Sequence, residues 1–226
     1  NSRIRSAGMA SPAVIAQTTG GGGGYVGGDG SGTGANVKLG GSGSQIGNSG
    51  AIDLFLSGGS TLITAGLQSQ GVIAQSIAGG GGFTSQNGEA MLLGMTGGSG
   101  NAADVLIPNQ GSISTLGLHS EGIVAQSIGG GGGSAGASST SLVMGATNAS
   151  GNAGNVTLNN AGGTIQTTGD YSVGVVAQSV GAGGGRIGNA KGSLTLGGNS
   201  ASGNAGNVTI NNTGGTIATS GDYSPS

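Results

Sequence analysis

The chain has 226 residues, of which 58 are glycine, 34 % are hydrophobic, 2 % are aromatic and 5 % are charged; its formal net charge is −2, and it has no cysteine. Collagen is excluded because glycine follows no three-residue period and there are only 3 prolines. The scattered charges argue against a nucleic-acid partner, and no apolar run is long enough for a transmembrane helix or a signal peptide.

The strongest feature is an internal repeat. PAVIAQTTGGGGG, GVIAQSIAGGGG, GIVAQSIGGGGG and GVVAQSVGAGGG are versions of one motif, and their glutamines are 58, 51 and 52 residues apart. The stretch from Ser150, SGNAGNVTLNNAGGTIQTTGDYS, returns almost unchanged from Ser202. These matches predict one solenoid fragment over residues 1–226, with repeats at about 13–70, 71–121, 122–173 and 174–225.

The first repeat departs from the others. Thr18 and Thr19 replace the Ser-Ile pair of the motif, and the segment from Ser31 to Leu62 is longer. The chain also begins and ends inside a repeat, with neither end resembling a polar cap. Because solenoids need capping repeats, we expect a piece of a longer array.

Within each repeat the apolar clusters are four to seven residues long, rich in Val, Ile, Leu and Thr, and bounded by Gly or Asn. This pattern is typical of strands, and no window has a helical period. In NVTINN, Val208 and Ile210 share the face predicted to point to a core. The opposite face carries Asn207, Thr209 and Asn211, and one repeat earlier Asn155, Asn159 and Asn160 occupy equivalent places, so stacking predicts asparagine ladders.

The AQ strand has two largely apolar faces. Val175, Ala177 and Ser179 lie on one, and Val176 and Val180, with Gln178, lie on the other. This indicates burial on both sides. The glycine run that follows either packs against the strand as its second cover or protrudes from the shaft as a loop, and the sequence leaves both open.

Equivalent strands of repeats that wind in one direction stack with the same polarity. The predicted fold class is therefore all-β, a right-handed parallel β-helix. We expect two or three rungs per repeat, so nine to eleven rungs would span about 50 Å at about 4.8 Å per strand. A meander or a propeller is the structural alternative.

The AQS(I/V)GGGGG motif, with the NVT(I/L)NN and TI.T.GDYS segments that come after it, resembles the glycine-rich repeats of autotransporter passenger domains, secreted by the type V route in Gram-negative bacteria. The resemblance extends from Ala13 to Ser224. It implies a β-helical stalk at the cell surface, exported and anchored by a C-terminal outer-membrane β-barrel outside the printed sequence. Such passengers perform many functions, so the resemblance implies the fold and location more than a receptor.

Few residues are candidates for chemistry. His119 and Glu121 could form part of an acid–base or metal site, but a polar turn before the third AQ strand is the simpler interpretation. The GGDGSGTG segment around Asp29 has one isolated element of a calcium-binding repeat. Asp170 and Asp222 could bind a cation along one edge, although turn formation explains them more simply. We predict no catalytic, cofactor-binding or metal-ligating residue and no cofactor.

Tyr171 and Tyr223 are the repeated aromatic residues, and they either pack over a corner or form surface contacts, packing being favoured. The expected function is that of a structural and adhesive surface protein, binding surfaces, host or neighbouring cells or copies of itself, with no small-molecule substrate. An enzyme is not expected, because the few Arg and Lys are scattered. The alternative is a flat solenoid binding carbohydrate or ice through a threonine ladder, of which the sequence offers Thr157, Thr164, Thr168, Thr209 and Thr216.

Overall fold

A computed structural model describes residues 2–27, 36–43, 47–190 and 192–226. The regular structure of these residues consists of strands, and none of it is a helix that could cross a membrane. The strands are β1 (Arg3–Ser6), β2 (Val14–Thr19), β3 (Gly24–Val26), β4 (Val37–Leu39), β5 (Ile52–Asp53), β6 (Thr61–Thr64), β7 (Val72–Ile77), β8 (Gly82–Leu93), β9 (Val105–Asn109), β10 (Ser112–Thr115), β11 (Ile123–Ile128), β12 (Gly133–Met144), β13 (Val156–Ala161), β14 (Thr164–Thr167), β15 (Val175–Val180), β16 (Gly185–Ala190), β17 (Ser193–Leu196), β18 (Val208–Thr213) and β19 (Thr216–Thr219).

These strands form four sheets that the chain visits in turn. Sheet 1 has the order β1-β6-β10-β14-β19, and sheet 2 has the order β15-β11-β7-β2. Sheet 3 is β16-β12-β8-β3, with β17 paired to β12 and β4 paired to β8, and sheet 4 is β18-β13-β9-β5. All pairs between these strands are parallel. The predicted parallel β-solenoid is confirmed, while its hand stays a prediction.

One repeat makes one turn of the solenoid. Gln75 pairs with Gln17 on one side and with Gln126 on the other, and Gln126 pairs in turn with Gln178. The expectation of two or three rungs per repeat is therefore wrong, because the apolar clusters of a repeat belong to different sheets of the same turn. About four turns at about 4.8 Å each rise roughly 20 Å, not about 50 Å. A propeller is excluded as well, since its strands pair antiparallel within a blade.

The additional residues of the first repeat lie between strands and not within them. The partners are 58 residues apart where Gly24 pairs with Gly82, but only 51 apart where Thr61 pairs with Ser112. The seven additional residues are therefore inserted between β3 and β6. Thr18 and Thr19 stay in register with Ser76 and Ile77, so the substituted pair leaves sheet 2 unbroken.

The main core lies between the inward faces of sheets 1, 2 and 4. Ile113 and Ile165 enter it from sheet 1, and Val156 and Leu158 from sheet 4, all with no solvent exposure. Burying each such side chain contributes about 1.5–3 kcal/mol. Val208 and Ile210 continue the columns of Val156 and Leu158, as predicted for that face. They are about half exposed because they belong to the last turn.

The two inner strands of sheet 2 are buried on both faces, as predicted for the AQ strand, whereas β2 and β15 at the ends of the sheet are partly buried. All six residues of β7 and all six of β11 are buried. Val72 and Ala74 face the main core, whereas Ile73 joins a second cluster with Phe83 and Val124. That second cluster lies against the start of sheet 3, which covers the outer face of sheet 2.

The glycine runs pack inside the molecule and do not protrude. Gly131 forms an antiparallel bridge with Gly94, at the far end of the sheet 3 strand in the preceding turn. The Leu93 carbonyl oxygen accepts hydrogen bonds from the amides of Gly132 and Gly145, both at 3.0 Å. A Cβ on Gly94 would lie 1.8 Å from the Gly145 oxygen, so only glycine fits.

Sheet 3 is thereby closed into a lobe beside the main coil. Its two ends meet at the glycine junction, and the strand between them turns at the register shifts of β12. Ala135, near the start of β12, shares a core with Leu142 and Met144, near its end. The lobe therefore has its own apolar interior.

Polar side chains also stack on their counterparts. Gln17 Nε2 donates to Gln75 Oε1 at 2.5 Å and Gln75 Nε2 to Gln126 Oε1 at 2.6 Å, and Gln178 continues this column. The predicted asparagine ladders form too: Asn211 bonds Asn159 (2.8 Å), the Asn207 amide bonds Asn155 (2.9 Å), and Asn109, Asn160 and Asn212 make a third column. The fully buried Asn160 shows that these ladders satisfy amides inside the core.

We expect a single repeat, such as residues 122–173, to be unfolded in isolation, because every ladder bond joins different turns. The 226-residue chain should unfold cooperatively in urea. Far-UV circular dichroism of the single repeat and of the 226-residue chain checks this expectation. A native strand spectrum from the single repeat would contradict it.

We expect Gly145→Ala to destabilise the chain by about 2–3 kcal/mol, because overpacking against backbone forces the junction apart. The added Cβ would lie 2.0 Å from the Gly197 oxygen. Gly58→Ala is the matched control, since the nearest atom to its Cβ is 4.0 Å away and its backbone has no positive φ. Urea denaturation should leave this control within about 0.5 kcal/mol of the parent, and equal losses in both variants would contradict the junction model.

Candidate functional site

The corner between sheets 1 and 2 is built in the same way in every turn. Each sheet 1 strand is followed by a short turn with the pattern Thr-x-Gly-x-x-Ser, in which Ser6 replaces the threonine in the first turn. In the third turn, for example, the pattern begins at Thr115 and ends at Ser120. The glycine admits the neighbouring turn: a Cβ on Gly117 would lie 1.9 Å from the Gly66 oxygen.

Buried hydroxyls hold this corner in shape. Thr115 Oγ1 donates to the Ser120 carbonyl oxygen at 2.6 Å, closing the turn upon itself. Ser120 Oγ accepts the amide of Ser69 at 2.9 Å and donates to the Gly66 carbonyl oxygen at 3.2 Å, so each serine clamps its turn to the preceding one. Ser172 repeats both contacts one turn later.

The residue before each serine has a left-handed backbone although it is not glycine. The φ angles are 49° to 56° at Ala10, Gln68, His119, Tyr171 and Tyr223. Such a backbone costs a non-glycine residue about 1–3 kcal/mol. A chain with 58 glycines nevertheless places none at this position. The side chain at this corner therefore has a role that offsets the strain.

Three of those side chains, in the third, fourth and fifth turns, form an aromatic column on the surface, whereas Gln68 in the second turn is buried. The rings of His119 and Tyr171 are 5.1 Å apart with a 20° angle between their planes, and Tyr171 and Tyr223 are 5.1 Å apart with a 9° angle. Stacking of this kind contributes about 0.5–1.5 kcal/mol per pair. Tyr171 is still 46 % exposed. Corner packing and surface contact, which the sequence posed as alternatives, therefore coexist.

Exposed apolar side chains lie directly beside the aromatic column. Met9, Leu67 and Leu118 form one axial column, since the Ala10 amide bonds the Leu67 carbonyl oxygen and the Gln68 amide bonds that of Leu118, both at 2.8 Å. Leu116 lies two residues before Leu118. We call this surface the corner stripe: Met9, Leu67, Leu116, Leu118, His119, Tyr171 and Tyr223.

Glu121 does not form an acid–base pair with His119. Its carboxylate is buried between the corner and the lobe, where it accepts a hydrogen bond from Gln70 Nε2 at 3.0 Å and pairs with Arg186 Nη1 at 3.2 Å. His119 lies in the turn, as its simpler interpretation has it, and stacks on Tyr171. Glu121 therefore ties the corner to the lobe.

Partial burial lowers the pKa of His119 below 6.5. The Glu121 carboxylate opposes this shift and the Arg186 guanidinium adds to it. Burial disfavours the charged imidazolium, so the neutral ring is the form that the folded corner stabilises.

Asp170 and Asp222 occupy successive turns of the column that begins with Met9, Leu67 and Leu118. Both lie in the turn of the corner, the position that the sequence favoured over a cation site. The Asp222 amide also donates to Asp170 Oδ1 at 2.8 Å, which joins the two turns. Among the residues that the structure describes, no group of three or more His, Cys, Asp or Glu side chains could hold a metal ion. Asp29 and its glycine-rich segment lie outside the described residues.

The threonines proposed for ice binding are divided between surfaces. Thr157 and Thr209 pair on sheet 4, and Thr164 and Thr216 pair on sheet 1. Thr168 follows the end of β14. They form short separate columns and not one flat array.

In this corner the sequence drew attention to His119 and to the GDYS segment, but not to the exposed column of Met9, Leu67 and Leu118. The available signal was Thr-x-Gly-x-x-Ser itself, which precedes each AQ motif. The two positions between its glycine and serine vary from Met-Ala through Leu-Gln and Leu-His to Asp-Tyr. A turn of fixed geometry whose exposed side chains vary and are partly apolar is typical of a binding surface.

Comparison of the chain with family models, with curated proteins and with solved structures finds no match. The fold therefore rests on the strand pairing itself. A function has to be argued from the surfaces that this pairing creates, of which the corner stripe is the most distinctive.

The lowered pKa of His119 predicts a pH dependence of stability. The unfolded chain binds this proton more tightly, so the stabilisation is complete above about pH 6.5 and is lost as the pH falls through the lower folded pKa. His119→Gln, which copies Gln68 of the preceding turn, should flatten the fall in unfolding free energy between about pH 7 and pH 5. Urea titrations at several pH values test this, and identical slopes for parent and variant would contradict it.

Proposed function

We propose that this chain is a segment of the shaft of an adhesive surface protein of the autotransporter type, and that the corner stripe is its contact surface. The observation that carries the proposal is the strained corner, which has a residue other than glycine in each of five successive turns and exposes an aromatic side chain in the last three of them. Exposed leucines beside it supply apolar area that a shaft alone does not require.

The remaining lateral surface suits a shaft. Sheets 1 and 4 present columns of Thr, Ser, Asn and Gln, such as the column of Thr61, Ser112, Thr164 and Thr216 on sheet 1. These hydroxyl and amide groups bind water, so the surface stays hydrated although it carries little charge. Backbone ladders run along the axis and resist extension, so the elements fit a stalk that bears load along its length.

Attachment through the stripe would be weak at each turn. A single turn offers one to three exposed apolar or aromatic side chains, and affinity comes from repetition along the axis. Proteins in neighbouring cell envelopes and host surfaces offer the complementary apolar patches. The extracellular location, the surface of a Gram-negative bacterium and the anchoring barrel of the parent protein are parts of the same proposal.

Ice or carbohydrate binding is the weaker candidate. Ice binding requires a regular two-dimensional threonine array, whereas the threonines here lie in short separate columns. Tyr171 is stacked between His119 and Tyr223, so neither face of its ring is open to a sugar.

Attachment can be measured with beads that carry the chain and are held on epithelial cells or hydrophobic glass under flow. We expect the combined replacement Leu67→Ser, Leu116→Ser and Leu118→Ser to reduce bead retention several-fold, because it removes the apolar part of a multivalent surface. Tandem copies of the chain should strengthen retention more than in proportion to their number.

The control is Leu106→Ser, a leucine on the outward face of sheet 4, away from the stripe. It should retain beads like the parent chain. Circular dichroism verifies that all variants are folded. Retention that is unchanged by the triple replacement would refute the stripe as the contact surface.

A further inference from the structure

Charge is distributed unevenly along the corner stripe. Among the described residues of sheet 1 and the corner, Arg3 and Arg5 are exposed in the first turn, whereas Asp170 and Asp222 are exposed in the fourth and fifth. The other charged side chain there, Glu121, is buried and paired with Arg186. The corner stripe, taken together with the sheet 1 strands and the aspartates beside it, is therefore positive at one end, negative at the other, and apolar between them.

The two charged ends hardly interact within one molecule. Arg5 and Asp222 are four turns apart, which is roughly 19 Å at the spacing of strands. That distance is about twice the Debye length at physiological ionic strength. The charges are thus available to a partner of matching size and opposite order.

We propose that the corner stripe binds a second copy of this chain, side by side and antiparallel. This proposal rests on the proposed function and names a second copy of the chain as one partner of the corner stripe. In the antiparallel pair, Arg3 and Arg5 of each copy lie at the level of Asp222 of the other, one turn from its Asp170. A parallel pair would place like charges at the same level, so the charge order selects the antiparallel one.

The apolar part of the stripe fits the same symmetry. A two-fold axis through the third turn makes Leu118 face Leu118 of the second copy, with Leu116 next to it. The second turn then faces the fourth, so that Leu67 meets Asp170 and the adjacent Tyr171 of the other copy. One self-complementary patch therefore serves both copies, as in an isologous dimer.

Single cysteines test the arrangement, because the chain has no cysteine of its own. Leu118→Cys should form a disulfide-linked dimer on mild oxidation. Leu67→Cys alone should not, since its two copies would be about 10 Å apart along the axis and a disulfide needs Cα atoms within about 7 Å. Leu67→Cys mixed with Asp170→Cys should form the mixed dimer.

Charge reversal tests the selection of orientation. In sedimentation experiments on the 226-residue chain we expect Arg5→Asp or Asp222→Arg to weaken dimerisation about tenfold, since repulsion replaces attraction at both symmetric sites. The combined variant Arg5→Asp/Asp222→Arg should recover it. Asp53→Arg and Lys38→Asp, which make the same charge changes on sheet 4 and on sheet 3, are the controls and should dimerise like the parent.

The dimer proposal is overturned by a chain that stays monomeric at millimolar concentration, by efficient self-linking of Leu67→Cys, or by charge reversals that behave like the controls. The bead assay separates this result from the proposed function. A monomer that still retains beads through the stripe would refute the dimer alone. If the chain dimerises as proposed but the combined replacement Leu67→Ser, Leu116→Ser and Leu118→Ser leaves bead retention unchanged, the adhesive function alone is refuted.

Discussion

The structure depends on one constraint, which is the parallel backbone ladder between equivalent residues of successive turns. It holds Gln75 between Gln17 and Gln126, and it places every side chain about 4.8 Å from its counterpart in the next turn. A residue type is therefore acceptable in a strand only if it can stack upon the residue of the neighbouring repeat. Aliphatic side chains, amides, hydroxyls, aromatic rings and glycine all meet this condition.

The same constraint explains why the chain has so little charge. Like charges at the distance between strands repel each other, and the described charged residues stack on neutral ones: Arg5 on Ile63, Asp53 on Leu106, and Arg186 on Ser134. Asp170 and Asp222 are the exception among them, and there a backbone amide separates the carboxylates. Charge is thus confined to surfaces where it can be exposed or paired, which is how the stripe acquires opposite ends.

Much of the fold could be predicted from the repeat, but only part of the site. Alternation in NVTINN predicted the buried face of Val156 and Leu158, and two-sided apolarity predicted the burial of the AQ strands. The corner stripe was missed apart from its tyrosines and His119, and His119 was considered only as part of an acid–base or metal site. Leu67 and Leu118 are 51 residues apart, and nothing local in the chain marks them as neighbours or as exposed, since exposure follows from where the corner lies relative to the lobe.

A strong internal repeat with strand periodicity admits few arrangements, so the printed residues were enough to predict the all-β class, the repeat of about 52 residues, the parallel register and the ladders of like side chains. That a repeat makes one turn, that the glycine runs lie inside and that a lobe closes over sheet 2 became apparent only in three dimensions. Strand patterns specify faces and pairing partners, whereas the circumference of a coil depends on contacts between distant glycines, such as Gly94 with Gly131, which carry no side-chain signal.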